Sequence, residues 1–227
     1  MTPPDPTGFV EPRPDAIAPN PGGADDPLGE SVLDRDQPWL RVFQPTDLRV
    51  VIGRHQDPDR EVQVAQCQAD GVPVHRRATG GGAVVLAPGM VVVALRQSAG
   101  IQPESRDPVA WFARINAVLA PVIHDLTGIA PVAHRLGDLA MPEDAATPRK
   151  ILGASLRQNS RLTAYLGVLL IADVAPLMER YLRRPSREPD YRGGRDHRAF
   201  CNHLGRWGVT AAQLSSRLTA HLTAELG

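Results

Sequence analysis

The stretch from His75 to Gly89, HRRATGGGAVVLAPG, constrains this chain more than any other. Three consecutive glycines, Gly80, Gly81 and Gly82, carry no side-chain bulk and have free access to positive φ, so their amides can close on an anionic or polar ligand. Arg76 and Arg77 stand before them as fork-shaped, permanently charged donors, and Thr79 adds a hydroxyl. An apolar run from Ala83 to Leu86, a Pro88-Gly89 turn and a second apolar run from Met90 to Leu95 follow. The pattern predicts a strand, a glycine loop and a hairpin, a rigid platform carrying a polar mouth. A bare glycine triplet also serves as a tight turn between strands, and the two arginines and the threonine shift the balance towards a ligand loop. A P-loop is excluded, because it needs Lys and then Ser or Thr where this chain has Ala83 and Val84. The dinucleotide fingerprint is excluded as well, since no helical pattern follows the glycines.

The rest of the chain supplies strands and helices to frame that loop. Residues 1–27 hold eight of the 22 prolines, carry surplus Asp and Glu and lack an apolar period, which predicts a disordered tail. Residues 28–227 then form one domain. Strands are predicted at Trp39 to Phe43, Arg49 to Ile52 and Ile129 to His134, and the runs Ile151 to Leu156 and Leu162 to Ile171 form a hairpin pair. Helices are predicted from Leu28 to Leu33, Glu61 to Asp70 and Val174 to Leu182. A longer one starts at Asp107-Pro108, kinks at Pro121 and closes at Gly128. A C-terminal helix capped by Thr210 carries Leu214, Leu218, Leu222 and Leu226 on one stripe. The sum is an α+β domain, a mixed central sheet flanked by helices. Arg54 follows the strand that ends at Gly53, in a loop suited to presenting polar groups. A net charge of zero points to neither nucleic acid nor membrane. No long apolar run is evident, and with only Cys67 and Cys201 a reducing cytoplasm is expected.

Lys150 is the only lysine among the 25 basic residues. Wherever a positive charge merely has to be present, this chain uses arginine. An ammonium is a compact point charge that can meet a carbonyl and a phosphate oxygen in a tight pocket. Lys150 stands at a strand entrance three residues before Gly153, where a missing side chain would let a ligand lie close to the backbone. Asp138 brings an acidic side chain to the end of another strand.

These residues resemble those of the catalytic domain shared by lipoate-protein ligases, octanoyltransferases and biotin ligases. The matching segments are Val50 to Arg54 with Gln56, Arg76 to Val84, Asp138-Leu139, Arg149-Lys150 with Gly153, and Gly167 with Leu169 and Leu170. They stand in family order, and the lipoate branch fits better than the biotin branch, whose glycine loop is arginine-interleaved. The resemblance implies lipoate activation with ATP and Mg2+ as an acyl-adenylate, then transfer of the acyl group to a lysine of a lipoyl-carrier domain. Lys150 would be the catalytic lysine. Arg54, Arg76, Arg77, Thr79, Gly80, Gly81, Gly82, Ala83 and Gly153 would bind substrate, and Asp138 would hold the metal.

Three departures matter. Tyr165-Leu166-Gly167 stands where the family often has His-His-Gly, and Leu86 to Gly89 replaces the His-Asp that commonly follows the glycine loop. The ligases' additional C-terminal domain has no counterpart before Gly227, so a ligase of this kind would need a separately encoded accessory protein or would be impaired in forming the adenylate. The alternative is an octanoyltransferase, which takes its acyl group from acyl carrier protein through a cysteine thioester, here on Cys201, and needs no ATP. A non-catalytic lipoate-binding half of a two-protein ligase is the third reading.

Overall fold

The computed structural model describes residues 26–98, 107–142 and 147–227. The tail expected over residues 1–27 lies outside these up to residue 25, as do residues 143–146 of the loop expected between Pro142 and Pro148. In chain order the elements are β1 (Leu40–Phe43), β2 (Arg49–Ile52), α1 (Pro58–Glu61), α2 (Val64–Ala69), β3 (Val74–Arg76), β4 (Val84–Leu86) and β5 (Met90–Ser98). They continue with α3 (Pro108–Thr127), β6 (Val132–Ala133), β7 (Leu139–Met141), β8 (Arg149–Gln158), β9 (Leu162–Leu170), α4 (Ala175–Tyr181), α5 (His197–Phe200) and α6 (Ala211–Leu226).

Two sheets result. A six-stranded sheet in the order β1-β5-β9-β8-β7-β6 is antiparallel throughout. A three-stranded sheet, β3-β2-β4, carries the mixed pairing, with β2 parallel to β3 and antiparallel to β4. Side chains alternate along a strand, so the central strands bury both faces. Val91, Val93 and Leu95 of β5, with Tyr165 and Leu169 of β9, pack with α3 and α6 in one core. Met90, Val92 and Leu170 face the small sheet in a second core. The glycine loop and the ligand cavity lie between the sheets.

Local chemistry explains the main helices. Asp107 caps α3 by accepting from the Val109 amide at 2.8 Å, and Gly128 ends it at φ 73°. The helix runs through Pro121 to Thr127. By length and composition alone α3 could cross a membrane, yet Trp111, Phe112, Ile115, Leu119 and Ile123 are buried in the first core. A capping box joins Thr210 and Gln213 at the start of α6, whose Leu214, Leu218 and Leu222 are fully buried.

Where expectation and structure part, long-range contacts decide. The helix expected from Glu61 to Asp70 splits into α1 and α2, because buried Val62 leaves the helix to bridge Leu182. Only Val132–Ala133 of the strand expected from Ile129 to His134 pairs, and Leu28 to Leu33 contains a 3-10 turn, Glu30–Leu33. Asp26, which the sequence groups with the tail, is buried; its carboxylate accepts from the Glu30 and Ser31 amides and from Arg41.

Candidate functional site

A cavity of about 900 Å³ opens between the sheets. Its apolar floor comes from Val51, Leu86, Val92, Leu166, Val168 and Leu170, with Met178 of α4 at one side. Its polar rim holds Gly80 to Gly82, Arg77, Asp138, Lys150 and Ser155. The sequence places Lys150 and the glycine loop about seventy positions apart, and both line this one cavity.

A β-bulge aims the lysine. Leu139 pairs with Leu152, but Ala140 pairs with Lys150, so Ile151 is an extra residue on β8. Ile151 and Leu152 are both buried in the first core, and the parity of the strand changes across them. Lys150 therefore shares the cavity side with Gly153 and Ser155. In an unbroken two-residue alternation Lys150 would sit on the face of Leu152, inside the core.

Its ammonium lies 2.8 Å from Asp138 Oδ1, and Asp138 Oδ2 accepts from the Tyr191 hydroxyl at 2.8 Å. Gly153 makes room for this arrangement. A Cβ there would stand 2.6 Å from Lys150 Nζ and 2.7 Å from its Cε. The space that the sequence reserved for a ligand is thus used by the lysine side chain itself. Among the described residues no group of three or more His, Cys, Asp or Glu could hold a metal ion. Each Asp138 oxygen makes one contact and keeps a lone pair, so this carboxylate could serve as one ligand of a nucleotide-borne Mg2+.

The glycine loop is braced from behind by buried Arg77. Its Nη2 donates to the Gly80 and Gly82 carbonyls at 2.6 and 2.8 Å, and its Nε to Thr79 Oγ1 at 3.0 Å. Burial lowers the guanidinium to about 10, with Glu30 opposing, so Arg77 stays charged at neutral pH. Gly81 turns the loop at φ 90°. Arg54, Arg76 and Thr79, expected to bind substrate, are not among the residues lining the cavity. Arg76 donates to the carbonyls of Gly53, Arg54 and Gln56; Thr79 Oγ1 lies 2.8 Å from Ser155 Oγ; and Arg54 is exposed. Arg76 supplies donors to backbone carbonyls of the neighbouring loop, and Thr79 ties the glycine loop to β8. Ala83 and Gly153 line the cavity.

Cys201 also lines it, closer to the lysine than its sequence distance suggests. The backbones of Lys150 and Cys201 form a parallel bridge, and the Asn202 amide donates to the Lys150 carbonyl at 2.8 Å. Burial raises the thiol, with Lys150 and Arg192 opposing. Its Sγ stands 4.0 Å from Met178 Sδ, so the thiol is in a largely apolar setting.

Sequence reasoning missed Tyr191 and Ser155. The connection 183–196 reads as a Pro-, Arg- and Gly-rich linker, and nothing in that composition marks Tyr191. His197 lines the cavity, and burial, together with Arg192, lowers its imidazole to about 4. The unfolded chain takes up a proton near the ordinary histidine value and the folded chain does not, so stability falls as pH drops from about 6.5 towards 4. Partial exposure limits the effect to on the order of 1 kcal/mol. His197→Gln is expected to flatten thermal melting between pH 7 and 4; an unchanged pH slope would show that other groups set it.

An α+β domain whose two sheets clasp an apolar-floored cavity, with one amine and a glycine loop at the rim, belongs to the class of small-molecule-binding catalytic domains. The chain is a member of the lipoyl protein ligase A/B catalytic domain family, whose model matches residues 24–223. It is similar in structure to a bi-partite lipoate protein ligase from Thermoplasma acidophilum, described with its E2 lipoyl domain. That match has a TM-score of 0.73 and 18% identity over 92% of this chain and 81% of the other. A second T. acidophilum structure, with bound lipoic acid, matches at 0.68 and 16%, covering 92% and 83%. A lipoate-protein ligase A bound with ATP matches at 0.68 and 19%, with the same coverage. At these identities the likeness establishes the shared fold.

Proposed function

We propose that this chain activates lipoate, or octanoate, with ATP as an acyl-adenylate and passes the acyl group to a lysine of a lipoyl-carrier domain. The observation that carries this reading is the single lysine, aimed by a bulge into the cavity that the glycine loop rims. In the first step the carboxylate attacks the α-phosphorus and pyrophosphate leaves. In the second the acceptor amine attacks the acyl carbonyl, the bond to AMP breaks, and the amine's proton goes to solvent. Lys150 has one N–H directed at Asp138 and keeps the others for the acyl carbonyl and phosphate oxygens, where negative charge develops. The apolar floor takes the acyl tail. Asp138 would be the residue to hold a magnesium ion brought by the nucleotide, which would offset phosphate charge. The neighbours described as bi-partite, as lipoic acid-bound and as ATP-bound support an accessory partner, the acyl class and the co-substrate. A reducing cytoplasm is the compartment this reading assumes.

The test is intact mass of an acceptor lipoyl domain after incubation with this protein, lipoate or octanoate, and ATP with Mg2+, with and without a candidate accessory protein. An ATP-dependent mass increase is expected. No increase under any of these conditions would defeat the reading.

Cys201, buried but among the residues lining the cavity, is the one candidate nucleophile for a thioester route. Because burial works against its thiolate, Cys201→Ala is expected to retain ATP-dependent transfer within about twofold of wild type. A mass shift that needs only octanoyl carrier protein, and that Cys201→Ala abolishes, would replace the ligase with a transferase.

A further inference from the structure

A lysine side chain has four rotatable carbons and a strongly hydrated head, so nothing in Lys150 itself holds the ammonium where a reaction needs it. Asp138 supplies one fixed partner. A carboxylate held at one oxygen can still swing about its own side-chain torsions. Here the second oxygen is pinned by the Tyr191 hydroxyl at 2.8 Å.

The tyrosine is itself immobilised. Its ring lies flat on His134, with centroids 3.6 Å apart and planes 8° from parallel, and it meets Phe200 at 5.0 Å. The backbone closes the circuit, since the His134 amide donates to the Asp138 carbonyl at 2.9 Å, and Arg195 holds the Tyr191 carbonyl at 2.7 Å. Asp138, Tyr191 and His134 thus form a closed ring of contacts, drawn from the turn before β7 and the connection after α4, from which Asp138 reaches Lys150 on β8. Burial and the Asp138 carboxylate push the phenol far above its ordinary range, so it remains a donor at every working pH.

We propose that Tyr191 is the positioning residue for Lys150, fixing the ammonium through Asp138 and tying the wall segment 185–192 to the reacting end of the cavity. The proposal rests on the ligase reading above for its kinetic consequence, but not for its structural one. Because Lys150 is the only lysine, trace acetylation with acetic anhydride followed by peptide mapping reports this one side-chain amine in the full-length protein.

Tyr191→Phe removes only the hydroxyl and keeps the stack on His134. Three results are expected: kcat for lipoyl transfer about tenfold lower, KM for lipoate and ATP within about twofold, and Lys150 acetylated severalfold faster at unchanged melting temperature. A merely structural tyrosine would lower the melting temperature and leave the split between kcat and KM untouched. Wild-type turnover in the variant overturns the proposal whichever way the labelling moves. Lower turnover with unchanged acetylation overturns it too, since the effect would not run through Lys150. Faster acetylation in a protein that never transfers an acyl group would sustain the positioning and sink the ligase reading instead.

Discussion

Replacing Lys150 by arginine is expected to leave the fold intact and to lower acyl transfer by about 10²- to 10³-fold. The charge survives this substitution, so a site that needed only positive potential would tolerate it. The ammonium, however, sits in a slot shaped by the missing side chain of Gly153, 2.6 Å from where a Cβ would be, and 2.8 Å from Asp138. A planar guanidinium is wider than that slot and spreads its charge over three nitrogens, so it would pair with Asp138 in a different place. Thermal melting within a few degrees of wild type, beside the loss of transfer, would separate this geometry from simple destabilisation. Turnover near wild type in Lys150→Arg would remove Lys150 from the reaction.

Gly53→Ala has the second large expected effect, by a different route. A Cβ at Gly53 would stand 2.1 Å from the Gly81 carbonyl oxygen and 3.2 Å from its carbon. The obstacle is backbone, so no rotamer change relieves it. Because buried Arg77 fastens the Gly80 and Gly82 carbonyls, the loop cannot simply move aside. The clash is expected to cost about 1–3 kcal/mol of stability. That should lower the melting temperature by roughly 2–4 °C per kcal/mol for a chain of this size. Acyl-substrate affinity, measured by calorimetry, should fall by at least about tenfold, because the loop that rims the cavity is displaced. Wild-type affinity in a folded variant would show that the loop's position does not matter to binding.

The two substitutions probe features of unequal visibility. The glycine loop stands out in the sequence because two arginines and a threonine precede three glycines, and the lone lysine stands out because arginine fills every other Lys or Arg position. Asp138 and Gly153 were legible through family order. The division of labour around the loop was not. Arg76, Arg77 and Thr79 read alike as polar groups before the glycines, yet Arg77 lines the cavity while bracing the loop, and the other two serve its neighbours. Whether a side chain faces a ligand or a carbonyl depends on which carbonyls the loop leaves unpaired, and that is fixed only when the chain closes.

From its residues alone this protein was legible as an α+β domain with a glycine loop and one chemically distinct amine, because strand periodicity, helix caps and residue types are local properties. Tertiary structure decided where that amine points. Lys150-Ile151-Leu152 looks like the start of a regular strand, and regular alternation would bury the lysine beside Leu152. Pairing with β7 forces an extra residue into β8, both hydrophobic neighbours enter the core, and the lysine turns to the cavity and to Asp138. Tyr191 arrives there by the same logic, from a segment with no pattern of its own, because strand register and ring stacking are relations between distant parts of the chain.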